Sequence, residues 1–336
     1  GLYFSSSDSN TLTNITANSN QYYGLHLSSS DSNTLTNITA QENHYYDIYI
    51  YASSDSHCNN KLENITGSGN RPIEYYNYSV NLSDKVYSEL ILCNADNSNL
   101  TNITIQGSDS LKNNILYIGR TENSSISNVN SSYNSYGILL HYSDNNNLTN
   151  ITANDNNEEG ILLVYSSFNT LKNITANFNS FGIRMLFSDS NIIQNTTVNS
   201  NSQGIRIQAN SGSNNITNCM ANSNSEYGIF IEYSTYNIIA NSTIANNTNA
   251  GFKLYSCGFT PPAVNNTIYN NLFNNSVNVI NDICIQVENY FNTTKQSGTR
   301  IYSTGNQIGG NYWTNPAGNG YSDTCTDSDG DGFCDH

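Results

Sequence analysis

The stretch SSSDSNTLTNITA occupies residues 5–17 and recurs unchanged at residues 28–40, 23 positions later. A fixed period of this length marks a repeat architecture. Three markers keep step with it. A glycine followed by an apolar-x-apolar triplet stands at Gly1, Gly24, Gly137, Gly160, Gly182, Gly204, Gly228 and Gly251, and Asp47 takes the glycine's place once. A second marker is an asparagine further into each unit, at Asn10, Asn33, Asn147, Asn169, Asn191, Asn214 and Asn237. The third is the asparagine of T-N-I-T or its variants, at Asn14, Asn37, Asn64, Asn102, Asn150, Asn173, Asn195, Asn218 and Asn241.

Within a unit, short runs alternate apolar and polar residues, as in Gly137-Ile138-Leu139-Leu140 and Asn147-Leu148-Thr149. Runs this short, bounded by Asn, Ser, Gly and Asp, read as strands. Thr, Ile and Tyr favour the same state. Three runs and three turns per unit make one coil of a parallel β-helix, whose coils bury their inward side chains against one another. The chain therefore reads as all-β: a single right-handed parallel β-helix, or solenoid, of about 12–14 coils with 22–24 residues per coil. It should cover residues 1–310, with irregular coils or loops at 67–96 and 257–275, and residues 311–336 should form a C-terminal cap. Leu12, Ala17, Leu25, Leu27, Ile138, Leu140, Leu148, Ile161, Leu163, Ile183, Met185, Ile205 and Ile207 are expected to point inward. Asn at the bends tolerates left-handed backbone, and its amide can bond the next Asn in the stack.

The pattern G-I-x-L-x-x-S-x-x-N-x-L-x-N-x-T resembles the parallel β-helix repeats of the NosD-type family, related in fold to pectate lyases. The tail adds to the likeness. Asn292-Thr293-Thr294-Lys295, Gly298-Thr299 and Gly309-Gly310-Asn311-Tyr312-Trp313 are similar to the closing segments of NosD-like surface proteins of archaeal type. The resemblance implies the β-helix fold. It implies little about activity, because the family name comes from a copper-enzyme maturation factor and fold does not fix function.

Composition narrows the function classes. The net charge is −15 with only 11% charged residues, so the acidity reflects scarce Lys and Arg. No basic stripe is present to hold nucleic acid. No apolar run is long enough to span a membrane. The chain opens on a coil at Gly1 without a visible signal peptide or cap, so it reads as a processed or trimmed piece of a longer protein.

Several groups bear on chemistry. Asp327, Asp329, Asp331 and Asp335 alternate around Gly330 and Gly332, and D-x-D-x-D-G resembles the start of a calcium loop. Calcium is the expected cofactor there, in a joint or cap. Asp8, Asp31, Asp55, Asp144 and Asp189 recur at one turn, where each is expected to bond its own backbone. N-x-S/T sequons at Asn14, Asn37, Asn64, Asn77, Asn81, Asn102, Asn123, Asn130, Asn150, Asn173, Asn195 and Asn241 are expected glycosylation sites in a secreted protein. Cys325 and Cys334 bracket the acidic loop and are the expected disulfide; Cys58 with Cys93, and Cys257 with Cys284, lie one or two coils apart. An odd count of seven leaves one thiol over.

Outward positions of the first strand read His26, Tyr49, Leu139, Leu162, Arg184, Arg206, Phe230 and Lys253. Arg184 and Arg206 lack the acidic neighbours that a lyase site needs. Glu158 and Glu159 face opposite ways and make a poor hydrolase pair. The chain is thus expected not to be an enzyme. His26, His44, His57, His141 and His336 are scattered rather than clustered for copper. Leu139, Leu162 and Phe230 form an exposed apolar row that marks an interface, while rows of aromatic residues flank the same strand. The leading expectation is an extracellular structural protein, self-associating into a filament, sheath or surface layer. The alternatives are a carbohydrate-binding or polysaccharide-cleaving surface protein, and a NosD-type metalloenzyme maturation module.

Overall fold

A computed structural model describes residues 1–258, 262–284 and 287–335; Pro261 of the expected irregular coil and His336 lie outside the described residues. The fold is a right-handed parallel β-helix of about 12 turns with almost no helix. Two compact units divide it, residues 1–180 and 181–336.

In the first unit the repeat period becomes the strand register. Strands Leu2–Ser5, Tyr23–Ser28 and Tyr46–Tyr51 pair in parallel with Leu2 on Leu25 on Ile48, and Tyr3 on His26 on Tyr49. Alternation sends Leu25, Leu27, Ile48 and Ile50 into the core and leaves the Tyr3, His26 and Tyr49 row outside. A second stack, Asn99–Ile105, Ser125–Asn130, Asn147–Thr152 and Thr170–Thr175, buries Leu100, Ile126, Leu148 and Leu171 in one row. In the second unit Ile183, Ile205, Ile229 and Phe252 repeat this arrangement.

The irregular stretch redirects the stack. The Tyr46–Tyr51 strand ends its three-stranded sheet. The T-N-I-T side of the same coils continues instead. Strand Lys61–Thr66 pairs antiparallel with Pro72–Tyr76, which pairs with Glu89–Cys93 and then with Leu116–Gly119, Ile138–His141 and Glu159–Val164. The Cys58–Cys93 disulfide ties the last regular coil to this splice. Residues 67–96, expected as irregular coils or loops, hold the three strands Pro72–Tyr76, Asn81–Tyr87 and Glu89–Cys93. The Gly1/Gly24/Asp47 rows and the Gly137/Gly160 rows also belong to different sheets, although their sequence patterns look equivalent.

Asparagine ladders join the coils. Asn214 Oδ1 accepts from Asn191 N at 2.8 Å and from Asn191 Nδ2 at 3.1 Å. Asn214 Nδ2 donates to Ser188 O and to Asn237 Oδ1, both at 3.1 Å. Both amide hydrogens and the carbonyl are thereby used, which a fully buried amide requires. Asn237, Asn266 and Asn289 repeat the rung. In the first unit Asn156 N and Nδ2 both donate to Asn179 Oδ1, and Asn134 N donates to Asn156 Oδ1. The T-N-I-T asparagines serve differently: Asn37, Asn64, Asn102, Asn150 and Asn173 have φ of 55–57° and turn the chain at the surface.

The glycine column has a steric cause. A Cβ on Gly24 would lie 2.6 Å from Asp47 O, and one on Gly137 would lie 2.3 Å from Gly160 O. Where the stack is redirected the column opens, and Asp47 and Glu89 fill it, both fully buried. Asp47 accepts from Ser68 N at 2.7 Å, Asn114 Nδ2 at 2.8 Å and Asn43 Nδ2 at 3.0 Å. Glu89 Oε2 caps the strand edge at Ile48 N, 3.1 Å away, while Oε1 has no hydrogen-bond partner among the described residues. Burial, and then the nearby Asp47 carboxylate, push Glu89 well above the usual carboxylate range.

Two outcomes follow. Asn214→Ala strips one rung and should lower stability by about 3 kcal/mol, whereas Asn130→Ala at an exposed site should change it by less than about 0.5 kcal/mol; chemical-unfolding midpoints compare them. A raised acid stabilises the fold below its unfolded pKa, and that contribution is lost as pH rises through the folded value. Glu89→Gln should therefore flatten the loss of melting temperature from mildly acidic to alkaline pH.

Candidate functional site

Alternation places one ring per coil on the outer face of the first three coils. The Tyr3 and His26 rings lie 4.7 Å apart, His26 and Tyr49 4.8 Å apart, and Tyr49 meets Tyr117 edge-on at 6.4 Å. Tyr117 comes from the redirected sheet, so the row ends at the seam between the two sheets. Tyr23 and Tyr46 stack at 5.7 Å along one flank. Leu139, Leu162 and Val164 form the facing wall of a groove of about 260 Å³ that also takes in Tyr51, Tyr136 and His141. A second hollow of about 250 Å³ runs past Tyr3, Tyr22 and His26 and shares Tyr23 with the first.

At the seam the Tyr117 hydroxyl and His141 Nδ1 lie 3.1 Å apart. Burial, with the Arg120 charge second, lowers His141 to about 4, so its ring is neutral at physiological pH. Burial also lowers His26, raises Tyr49 to about 12 and raises Tyr117 well above its ordinary value. Arg120 donates to Ala52 O at 2.8 Å, to Ser53 O and to Asp55 at 3.1 Å. The groove thus offers ring faces, neutral hydroxyls and one neutral imidazole paired with a phenol. A histidine hydrogen-bonded to a phenol can accept and relay a proton.

The sequence places His26 and Tyr49 outward and picks out the aromatic rows. It does not single out the Tyr117–His141 pair. The alternation Leu116-Tyr117-Ile118 carries the signal for Tyr117, but the irregular stretch breaks the count that aligns it with Tyr49. The expected exposed apolar row does not form. Leu139 is 8% and Phe230 6% exposed, and Leu162 is half-buried. Leu139 and Leu162 line the groove, and Phe230 lies beneath Arg206 and Lys253, with their charges 4.8 and 5.4 Å from its ring centre.

The other expected sites fall elsewhere. Asp327, Asp329 and Asp331 bring carboxylate oxygens within 4.8 Å of one another. Asp335 instead accepts from Ser328 N at 2.8 Å, and Asp331 also pairs with Lys295. Cys325–Cys334, Cys58–Cys93 and Cys257–Cys284 are disulfides, and Cys219 is a buried thiol. Asn14, Asn37, Asn64, Asn81, Asn102, Asn123, Asn130, Asn150, Asn173 and Asn195 are exposed; Asn77 and Asn241 are half-buried. No helix is long and apolar enough to cross a membrane among the described residues.

Three solved structures show what the fold is similar to. The Azotobacter vinelandii mannuronan C-5 epimerase AlgE4 A-module is 14% identical with a TM-score of 0.48, over 82% of this chain and 69% of that one. The periplasmic alginate epimerase AlgG is 13% identical with a TM-score of 0.46, over 79% and 73%. An alginate lyase from Paenibacillus sp. str. FPU-7 is 14% identical with a TM-score of 0.48, over 70% and 99%. These neighbours are enzymes, which corrects the expectation from sequence that the chain is not one; at these identities the likeness itself concerns the fold. No curated protein matches the chain.

Residues 97–318 match the family described as Periplasmic copper-binding protein (NosD). Copper prefers imidazole and soft sulfur ligands. Among the described residues, the one trio of His, Cys, Asp or Glu that gathers is Asp327, Asp329 and Asp331, which is all oxygen. Burial pushes the Cys219 thiol up to about 12, which keeps it protonated, and the other six cysteines are oxidised. The described residues do not fit a copper centre. The match spans most of the chain, and by it the protein belongs to the NosD family.

Proposed function

We propose that this NosD-family protein works outside the cytoplasm as a polysaccharide-active β-helix, holding a glycan against the aromatic groove of its first unit. The observation that carries this reading is the row of Tyr3, His26 and Tyr49 rings leading to the hydrogen-bonded Tyr117–His141 pair. Aromatic faces bind the apolar face of a sugar while hydroxyls and ring nitrogens meet its edges. His141, neutral and beside a phenol, is the candidate base, with Tyr117 the hydroxyl that steers its proton. Three disulfides support an oxidising compartment. A filament or surface layer has less support, because the apolar row that suggested it lines the groove or is covered.

In a polysaccharide panel, Tyr49→Ala should weaken glycan binding about tenfold, or ~1.4 kcal/mol, by calorimetry. His141→Ala should abolish turnover, followed by new chain ends, while binding is largely kept. Wild-type turnover should fall as pH drops through about 4, where His141 gains its proton and ceases to be a base. A panel with neither binding nor turnover would sink this reading.

Calcium at Asp327, Asp329 and Asp331 belongs to the same proposal, because alternate hard oxygens with Gly330 at φ 69° suit that ion. Millimolar calcium should raise the melting temperature of wild type and leave Asp329→Asn unmoved. The exposed sequons are proposed glycan acceptors, and mass spectrometry of the secreted protein assigns the occupied ones.

A further inference from the structure

The groove carries more information than the presence of rings. Its row is in register: Tyr3 pairs with His26 and His26 with Tyr49, so successive rings stand one strand spacing apart, roughly 4.8 Å. That step is comparable to the length of one pyranose unit. The two hollows share Tyr23 in their lining, with Tyr3 and His26 of the row in one and Tyr49 in the other. A chain lying across the strands would meet one ring; a chain lying along the stack would meet one ring per sugar.

Charge narrows the occupant. Among the described residues, the side chains lining the two hollows are tyrosines, histidines, aliphatics, Asn20 and Gln21, with no Lys, Arg, Asp or Glu. The guanidinium at the seam, Arg120, is spread over Ala52 O, Ser53 O and the Asp55 carboxylate, and lies 4.8 Å over the Tyr142 ring. A uronate set on the ring row would lose hydration without gaining a cation, which is costly for a carboxylate. The net charge of −15 repels a polyanion at longer range. Neutral hydroxyls meet no such penalty, because tyrosine O–H groups and imidazole nitrogens both give and take hydrogen bonds with them.

We propose that the groove takes a neutral, extended pyranose chain laid along the stacking direction of the first three coils, one sugar on each of the Tyr3, His26 and Tyr49 rings, with its leading end at the Tyr117–His141 seam. This rests on the groove being the glycan site, and adds the charge class and the direction of the chain.

The test uses the full chain and two oligosaccharide ladders of graded length, one of neutral β-linked gluco- and manno-oligosaccharides and one of mannuronate and galacturonate oligosaccharides, read by calorimetry at low and physiological salt. The expected result is binding of the neutral ladder, with affinity climbing until the chain spans the three rings and then levelling, and with little salt dependence. Tyr3→Ala should cost several-fold in affinity for long oligosaccharides and leave a disaccharide unaffected if the shortest ligands sit at the seam. Tyr3 is 64% exposed, so this variant should keep its fold. Preferential, salt-sensitive binding of uronates would overturn the charge class while leaving the groove as a glycan site. Length-independent binding of the neutral ladder would overturn the axial direction. No binding of either ladder by the folded full chain would remove the glycan site and this inference together.

Discussion

Every coil has backbone amides that turn inward at its corners, and these can be satisfied only by the coil stacked on it. The buried asparagine meets that constraint. Its carbonyl takes the amides of one neighbour, and its NH₂ reaches a backbone carbonyl and the next asparagine. A leucine of similar volume would pack but would leave the neighbouring N–H without a partner. The ladder therefore fixes the period: an asparagine out of step would miss both partners. Side-chain alternation, the closed glycine column and the outward ring row all inherit that registration.

The fold was legible for the same reason. A repeat that must stack on itself writes its register into the sequence, and the 23-residue step between Tyr3, His26 and Tyr49 is the step between hydrogen-bonded partners. The site was legible only where that step held. His26 and Tyr49 could be placed outward by counting. Tyr117 and His141 could not, because the intervening segment makes one antiparallel pairing and passes the stack from one side of the coil to the other. Leu139 and Leu162 were placed outward correctly by alternation, yet they face the groove rather than bulk solvent. Periodicity gives the side of a sheet on which a residue lies. It does not say what the next sheet brings against that side.

The buried acids have no counterpart elsewhere in the glycine column, and their position explains them. At the seam Ile48 N and Asp47 N lose the backbone partners that a further parallel strand would have supplied. Glu89 Oε2 and Asn114 Oδ1 replace them, at 3.1 and 2.7 Å. A buried carboxylate is a poor substitute for a strand unless it holds a proton, which is the direction in which burial and Asp47 drive Glu89.

Groove and splice are one construction. Had the first sheet continued, another strand would have covered the edge of Tyr46–Tyr51, and Tyr49 would have met another residue of its own row. Instead the edge is closed by side chains, and the redirected sheet approaches with Tyr117 perpendicular to Tyr49 and with His141 5.3 Å from Tyr51. Two surfaces that a regular solenoid keeps apart come together there, one bearing stacked rings and the other an imidazole paired with a phenol. A straight β-helix can offer only rows. The seam turns the end of a row into a place where groups of different chemistry converge, and that convergence is what a binding face needs before it can also act on what it binds.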